Sequence, residues 1–216
     1  MNASATPAKP EIQNRGLVLV VSAPSGAGKT TVVDALLARR NGLGRAITHT
    51  TRAPRPGECD GVDYHFVSLD AFVRLDAEGA FLEQAAIYGN RYGTSRKEVE
   101  SRLAAGKDVV LVIDWQGARS VCEKLAGSAD IRLFTVFVMP PSLEVLEQRL
   151  SGRNTESPEQ LQRRLGMARE EMDHASEFDA CVVNDRLDAC VEQISLWIDQ
   201  AKSGSPPQRD EEVSRR

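Results

Sequence analysis

Residues 17–31, LVLVVSAPSGAGKTT, decide how the rest of this 216-residue chain reads. The run LVLVV is short, continuous and rich in β-branched residues, as a strand buried on both faces should be. It feeds a turn holding Gly26, Gly28, Lys29 and Thr30. The segment TTVVDALLARR then sets Val32, Val33, Leu36 and Leu37 on one helical face. This order matches the phosphate-cradling pattern G-x-x-x-x-G-K-[ST] at every fixed place but the first, where Ala23 stands. Such a turn aims several backbone N–H groups at one point, where the helix dipole also favours an anion. Ser25, Gly26, Ala27, Gly28, Lys29, Thr30 and Thr31 are therefore the candidate contacts for ATP phosphates. Lys29 supplies charge to the β- and γ-phosphates, and the Thr30 hydroxyl can ligate Mg2+. Ala23 lies where strand becomes loop, ahead of the donors, and its methyl is harmless there if the backbone keeps a negative φ.

A chain of this length buries one sizeable core with room for a small inserted lobe. At 41% hydrophobic and 27% charged it has the composition of an ordinary soluble globular protein. No apolar run approaches the roughly 18 residues of a membrane helix. The net charge of −4 argues against a protein that coats nucleic acid. The first fifteen residues lack a secretory pattern and read as a polar tail, as do residues 203–216. Cys59, Cys122, Cys181 and Cys190 have no metal-binding spacing and read as reduced residues of a cytoplasmic protein. His49, His65 and His174 are scattered, and no catalytic role is assigned to them.

Beyond the first helix, DVVLVID (108–114), RLFTVFV (132–138) and ACVVN (180–184) are three more buried strands, separated by amphipathic helices. The pattern predicts an α/β protein with a parallel sheet flanked by helices on both sides. Between residues 48 and 92 the rhythm breaks. DYHFV and FLEQAAIY read as one-sided antiparallel strands, with a tight reversal at Gly89–Asn90. Ser95 with Glu98 predicts a capping box for a helix ending at Gly106, and Ser142 caps the helix LEVLEQRL. The polar run SGRNTESP (151–158) reads as a charged flap, after which Ser157 caps a helix with Pro158 in its first turn.

The inserted lobe carries the second chemical signal. THTTRAPRPGECDGVDYHF places Arg52 and Arg55 in a proline-stiffened loop with Tyr64 shortly after. Two guanidiniums and a phenol suit a second phosphate group, because the arginine fork matches phosphate oxygens. Two solvated loop charges and a sheet tyrosine fit the same composition. Glu83 in FLEQA falls on the solvent side of an alternating strand. Asp114 ends an apolar strand, as the Mg2+-organising carboxylate of phosphate-loop proteins does.

The segments SAPSGAGKT, TTRAPRPGE, YHFV, FLEQA, YGNRYGTS, IDWQG, RLSGRNTES and VVNDRLD stand in the order and spacing of one known family. From about Gly16 to Ala201 the chain resembles the guanylate kinases, nucleoside monophosphate kinases in which bacterial members often carry alanine at the place of Ala23. The resemblance implies a phosphate-loop core (16–47 and 104–202), a mixed α/β GMP-binding lobe (48–103) and a mobile lid (150–160). It implies Mg2+-dependent phosphoryl transfer from ATP to GMP, with dGMP as a further acceptor. Arg52, Arg55, Tyr64 and Tyr92 would hold the GMP phosphate, and Thr48, Glu83, Thr94 and Asp114 would surround the guanine. Lys29, Arg52, Arg149, Arg153 and Arg164 would act on the transferring phosphate, and Asn184 would contact adenine. Asp114 is left to serve the metal, the base, or both. Nucleic acid and membrane are not expected partners, and homo-oligomerisation stays open.

Two positions depart from the family: Val112 where its strand carries an acid, and Arg186 where an acid commonly follows VVND. Three rival readings are a ribose-bisphosphate kinase, a non-catalytic scaffold of the same fold and a GTPase. The guanine-reading set opposes the first, Lys29 with Thr30 the second, and the missing N-K-x-D motif the third.

Overall fold

The computed structural model describes residues 16–87, 89–128, 130–151 and 158–204. The tails, the Ser157 cap and Arg153 lie outside the described residues. Strand β1 (Gly16–Ser22) leads to helix α1 (Lys29–Arg39) and the short strand β2 (Leu43–Arg45). Next come β3 (His49–Thr50), β4 (His65–Phe66), α2 (Leu69–Ala77), β5 (Phe81–Ile87), β6 (Asn90–Ser95) and α3 (Arg96–Ala104). The chain continues through β7 (Asp108–Val112), α4 (Trp115–Leu125), β8 (Ile131–Met139), α5 (Leu143–Ser151) and α6 (Pro158–Asp173). A 3-10 turn (His174–Glu177), β9 (Ala180–Val183) and α7 (Leu187–Ser203) complete it.

Five strands in the order β2-β7-β1-β8-β9 form one sheet, and every pairing in it is parallel. β1 lies at its centre, and its side chains alternate between two cores. Leu17, Leu19 and Val21 pack with α1 and α7 residues such as Val33, Leu36, Ile194 and Trp197. Val18 and Val20 pack on the other face with Val99 of α3 and Ala118 and Val121 of α4. Both faces are dry, which is why the strand is apolar without interruption. The four expected strands are present. The fifth, β2, holds only Leu-Gly-Arg on a sheet edge and carries no apolar run to announce it.

The inserted lobe has a second sheet, ordered β4-β3-β6-β5. β5 and β6 form the expected antiparallel hairpin, with Gly89 at φ 78 in its turn. The expectation for DYHFV is corrected: only His65 and Phe66 are strand, and they pair parallel to β3. Loop 51–64 is a crossover and not a hairpin, so the strand it delivers runs alongside its neighbour. Ser95 caps α3 by accepting from the Glu98 N–H. The Glu98 carboxylate does not close a box; it accepts from the Ile47 N–H and from Arg102. Ser142 accepts from Val145 N–H at the start of α5, as expected.

Trp197 is 1% exposed between α7 and the sheet and is the largest fully buried side chain. Trp197→Ala should lower the stability of the protein by about 3–5 kcal/mol. Urea denaturation should show a reduced midpoint with an unchanged slope.

Candidate active site

The loop between β1 and α1 lies at the carboxyl end of the central strand, where open α/β sheets bind ligands. Gly26 (φ 91) and Gly28 (φ 93) sit in the left-handed region that favours glycine. Packing demands them as well. A Cβ on Gly26 would come within 2.9 Å of Leu146 Cδ1 and Leu150 Cδ2, and one on Gly28 within 2.6 Å of Asn184 Nδ2. Ala23 is 5% exposed and belongs to the core around α1, ahead of the loop's first turn.

Two braces hold the loop, one from the carboxyl end of β9 and one from α5. Asn184 Nδ2 donates to the Ala27 carbonyl (2.8 Å). Arg149 spans Ala27 O (3.4 Å) and Asn184 O (3.1 Å). Asn184 thus carries the loop's backbone, and its side-chain nitrogen is already engaged. A cavity of about 340 Å3 opens beside it, lined by Gly26, Gly28, Thr31, Arg149, Asn184, Asp185 and Leu187. Asp185 and Leu187 escape sequence reasoning because nothing in their type marks them.

The Lys29 ammonium donates to the Ile113 carbonyl (3.1 Å) at the end of the neighbouring strand. Burial pulls its pKa down, opposed by the carboxylates of Asp114 and Glu171. Arg164 of α6 donates to Ser25 Oγ (2.7 Å). Thr30 is exposed in the first turn of α1. Among the described residues no group of three or more His, Cys, Asp or Glu is placed to hold a metal ion by itself. A hydroxyl and one carboxylate beside a phosphate loop do fit Mg2+, which keeps water and substrate phosphate in most of its shell.

In the lobe, Arg52, Tyr64 and Tyr92 come together. The Arg52 guanidinium lies 5.3 Å from the Tyr64 ring centre and hydrogen-bonds Tyr92, and the two tyrosine rings meet edge-on at 6.1 Å. Glu58, absent from the sequence expectations, organises this cluster. Its carboxylate accepts from Arg52 Nη2 (2.9 Å) and from the Arg55 N–H (2.7 Å). Arg52 and then the Arg55 amide hold the Glu58 carboxyl below its ordinary range. Arg55 itself is exposed, and Thr48 sits just ahead of β3.

Glu83 overturns its reading as a solvent-side residue. It is 3% exposed, because the register shifts between Phe81 and Glu83 and turns three consecutive residues of β5 inward. Thr94, its partner on β6, hydrogen-bonds the carboxylate, while Oε1 has no partner among the described residues. Burial pushes the Glu83 carboxyl up from its ordinary 4.5. Asp114 caps α4, accepting from Gly117 N–H through Oδ1 (2.7 Å). A Cβ on Gly117 would lie 3.3 Å from both Asp114 Oδ1 and Glu83 Oε2, so the two carboxylates flank this glycine. Glu83, Thr94 and Asp114 are therefore neighbours although they come from three elements.

A parallel sheet with this loop at the end of its central strand defines a phosphate-loop nucleotide-binding protein. The family model for guanylate kinase matches residues 15–201. A guanylate kinase of Alkalilimnicola ehrlichii is 50% identical over 173 residues, covering 80% of this chain and 83% of that protein. One from Thiobacillus denitrificans is 48% identical, covering 83% of each. The crystal structure of guanylate kinase from Anaplasma phagocytophilum superposes with a TM-score of 0.69 at 32% identity, covering 94% of this chain and 96% of that one. The chain belongs to the guanylate kinase family.

The buried Glu83 has a sign that can be checked. Its folded-state pKa lies above its unfolded one, so the folded protein binds the extra proton and stability falls as pH rises above about 4.5. In the ligand-free protein Glu83→Gln removes this loss. The variant should be the more stable protein at pH 7.5, and the difference in melting temperature should narrow as pH falls toward 4.5.

Proposed function

We propose that this enzyme transfers the γ-phosphoryl group of ATP to GMP, giving ADP and GDP, with dGMP as a further acceptor. The observation that carries the acceptor assignment is Glu83, a buried carboxylate with one oxygen unpartnered among the described residues, beside Asp114. Guanine presents N1–H and N2–H2 donors along one edge, and carboxylates only accept. Adenine has a lone pair at N1 and would leave the carboxylate unpaired, which is the basis of strong rejection. Thr48 and Thr94 complete the base site in this reading, and Arg52, Arg55, Tyr64 and Tyr92 take the GMP phosphate.

No general base is required. The acceptor is a phosphate monoester whose second pKa is about 6, so it is already largely dianionic at neutral pH. The protein must bring two anions together and hold them in line. Lys29 and the loop amides bind the donor phosphates, and Arg52 holds the acceptor. Arg149, Arg164 and Arg153 act on the transferring group, although Arg149 in this state also braces Ala27. Mg2+, held by Thr30 and Asp114, would neutralise charge on the donor phosphates. A lid at 150–160 would exclude water that otherwise accepts the phosphoryl group. The division into a core (16–47, 104–202) and an acceptor lobe (48–103) is supported by the two separate sheets. A cytoplasmic location fits a chain in which no described helix is long and apolar enough to cross a membrane.

An assay of ADP release with ATP and Mg2+ tests the reading, offering GMP, AMP, CMP, UMP, dTMP and ribose 1,5-bisphosphate in turn. Turnover should be confined to the guanine nucleotides. AMP turnover equal to that of GMP would remove Glu83 from its role. Lys29→Met should leave the fold intact and lower kcat by about three orders of magnitude or more.

A further inference from the structure

Two side chains of α6, two turns apart on one face, reach the same residue of the phosphate loop. Arg164 donates to Ser25 Oγ (2.7 Å), and the Ser25 backbone N–H donates to Glu171 Oε2 (3.1 Å). A carboxylate thus occupies one amide donor of a loop assigned to phosphate, while the Ala27 N–H turns back to the Pro24 carbonyl. Lys29 attracts Glu171 and Asp114 repels it, while burial pushes its pKa up. Its partners at the loop, the Ser25 N–H and the Lys29 charge, belong to the segment that an incoming nucleotide needs.

The C-terminal end of α6, one turn beyond Glu171, is fixed. The His174 ring stacks on Trp115 with centres 3.5 Å apart and planes 12° from parallel. Glu177 joins His174 (2.7 Å) and Arg119 (2.8 Å), and Arg119 lies 4.9 Å from the Trp115 ring centre. The helix is therefore pinned at the start of α4 and latched at the phosphate loop.

We propose that Glu171 is a positioning residue that acts through Ser25. It serves as an internal anionic stand-in at the phosphate loop, and ATP must displace it. The inference rests on reading this loop as the ATP phosphate site. Phosphate carries more charge and more acceptor oxygens than a carboxylate, and the two repel at contact distance. ATP binding and the setting of α6, which carries Arg164, then become one event. The stand-in lowers apparent affinity by the fraction of molecules in which it is seated.

The test is calorimetric titration of ATP with Mg2+ into the GMP-free enzyme, its Glu171→Gln and Lys29→Met variants, with GMP titration as the check on folding. Glutamine keeps an oxygen for the Ser25 N–H but loses the charge. Glu171→Gln should bind ATP about tenfold more tightly, with GMP affinity unchanged. A purely structural brace predicts the opposite sign, weaker ATP binding together with a lower Tm, and that result or an unchanged affinity overturns the proposal. Lys29→Met separates the two readings. If it weakens ATP binding while Glu171→Gln does not tighten it, Glu171 alone loses its role. If it leaves ATP binding unchanged, the phosphate-loop reading itself falls.

Discussion

The backbone N–H groups between β1 and α1 can point at one anion only if the loop holds a shape that ordinary residues resist. Gly26 and Gly28 both stand at positive φ, and each is closed in by a neighbour that leaves no room for a Cβ. Leu146 and Leu150 of α5 press on the first, and Asn184 at the end of β9 presses on the second. The loop is therefore clamped by elements that arrive more than a hundred residues later. Its shape is set before ligand arrives, so little of the binding energy goes into ordering it. The apolar continuity of β1 serves the same end, because a central strand buried on both faces fixes where the loop starts.

On the proposed reading, the lobe has a different task, that of recognising a base by its donors. A carboxylate in an apolar environment is costly unless it is paired. Glu83 is only half satisfied by Thr94, and Asp114 beside Gly117 adds like charge. The half-satisfied carboxylate thus bears a cost that the donors of a guanine edge would relieve and the N1 lone pair of adenine would not. Arg52 is arranged in the opposite sense: Glu58 pairs with its guanidinium and holds it in place. A guanidinium with five donors can keep this partner and still offer a fork to phosphate.

The phosphate loop, the four long strands and their helices were legible because each signal is local: a fixed spacing, an apolar run, a cap. β2 and β4 were not, since two- and three-residue strands are defined by their neighbours and not by their own pattern. The burial of Glu83 was not legible. Alternation puts it outside, and the shift in register beside Phe81 puts it inside. Glu58 and Glu171 were hidden for another reason. Both sit in polar surroundings, RPGE and AREEMD, where one more acid carries no information until the fold sets it against an amide. Asn184 was visible as a candidate for adenine, yet its amide nitrogen is engaged with Ala27, so it carries the loop as well.

Val112 stands where an acid was expected and is packed against the core shared with α1 and α7. The charge near Lys29 is supplied from elsewhere, by Asp114 at the cap of α4 and by Glu171 on α6. These two carboxylates differ in what they can do. Asp114 is fixed by its bond to Gly117 N–H and by the helix it caps. Glu171 belongs to a helix held at one end by the Trp115–His174 stack and at the loop by Ser25. On the proposed reading, a rigid acid suits the organisation of base and metal, and one on a latched helix suits an exchange of anions. Because Trp115 directly follows Asp114, the ring that stacks on His174 and the carboxylate that caps α4 sit on adjacent residues, at the point where α6 meets the start of α4.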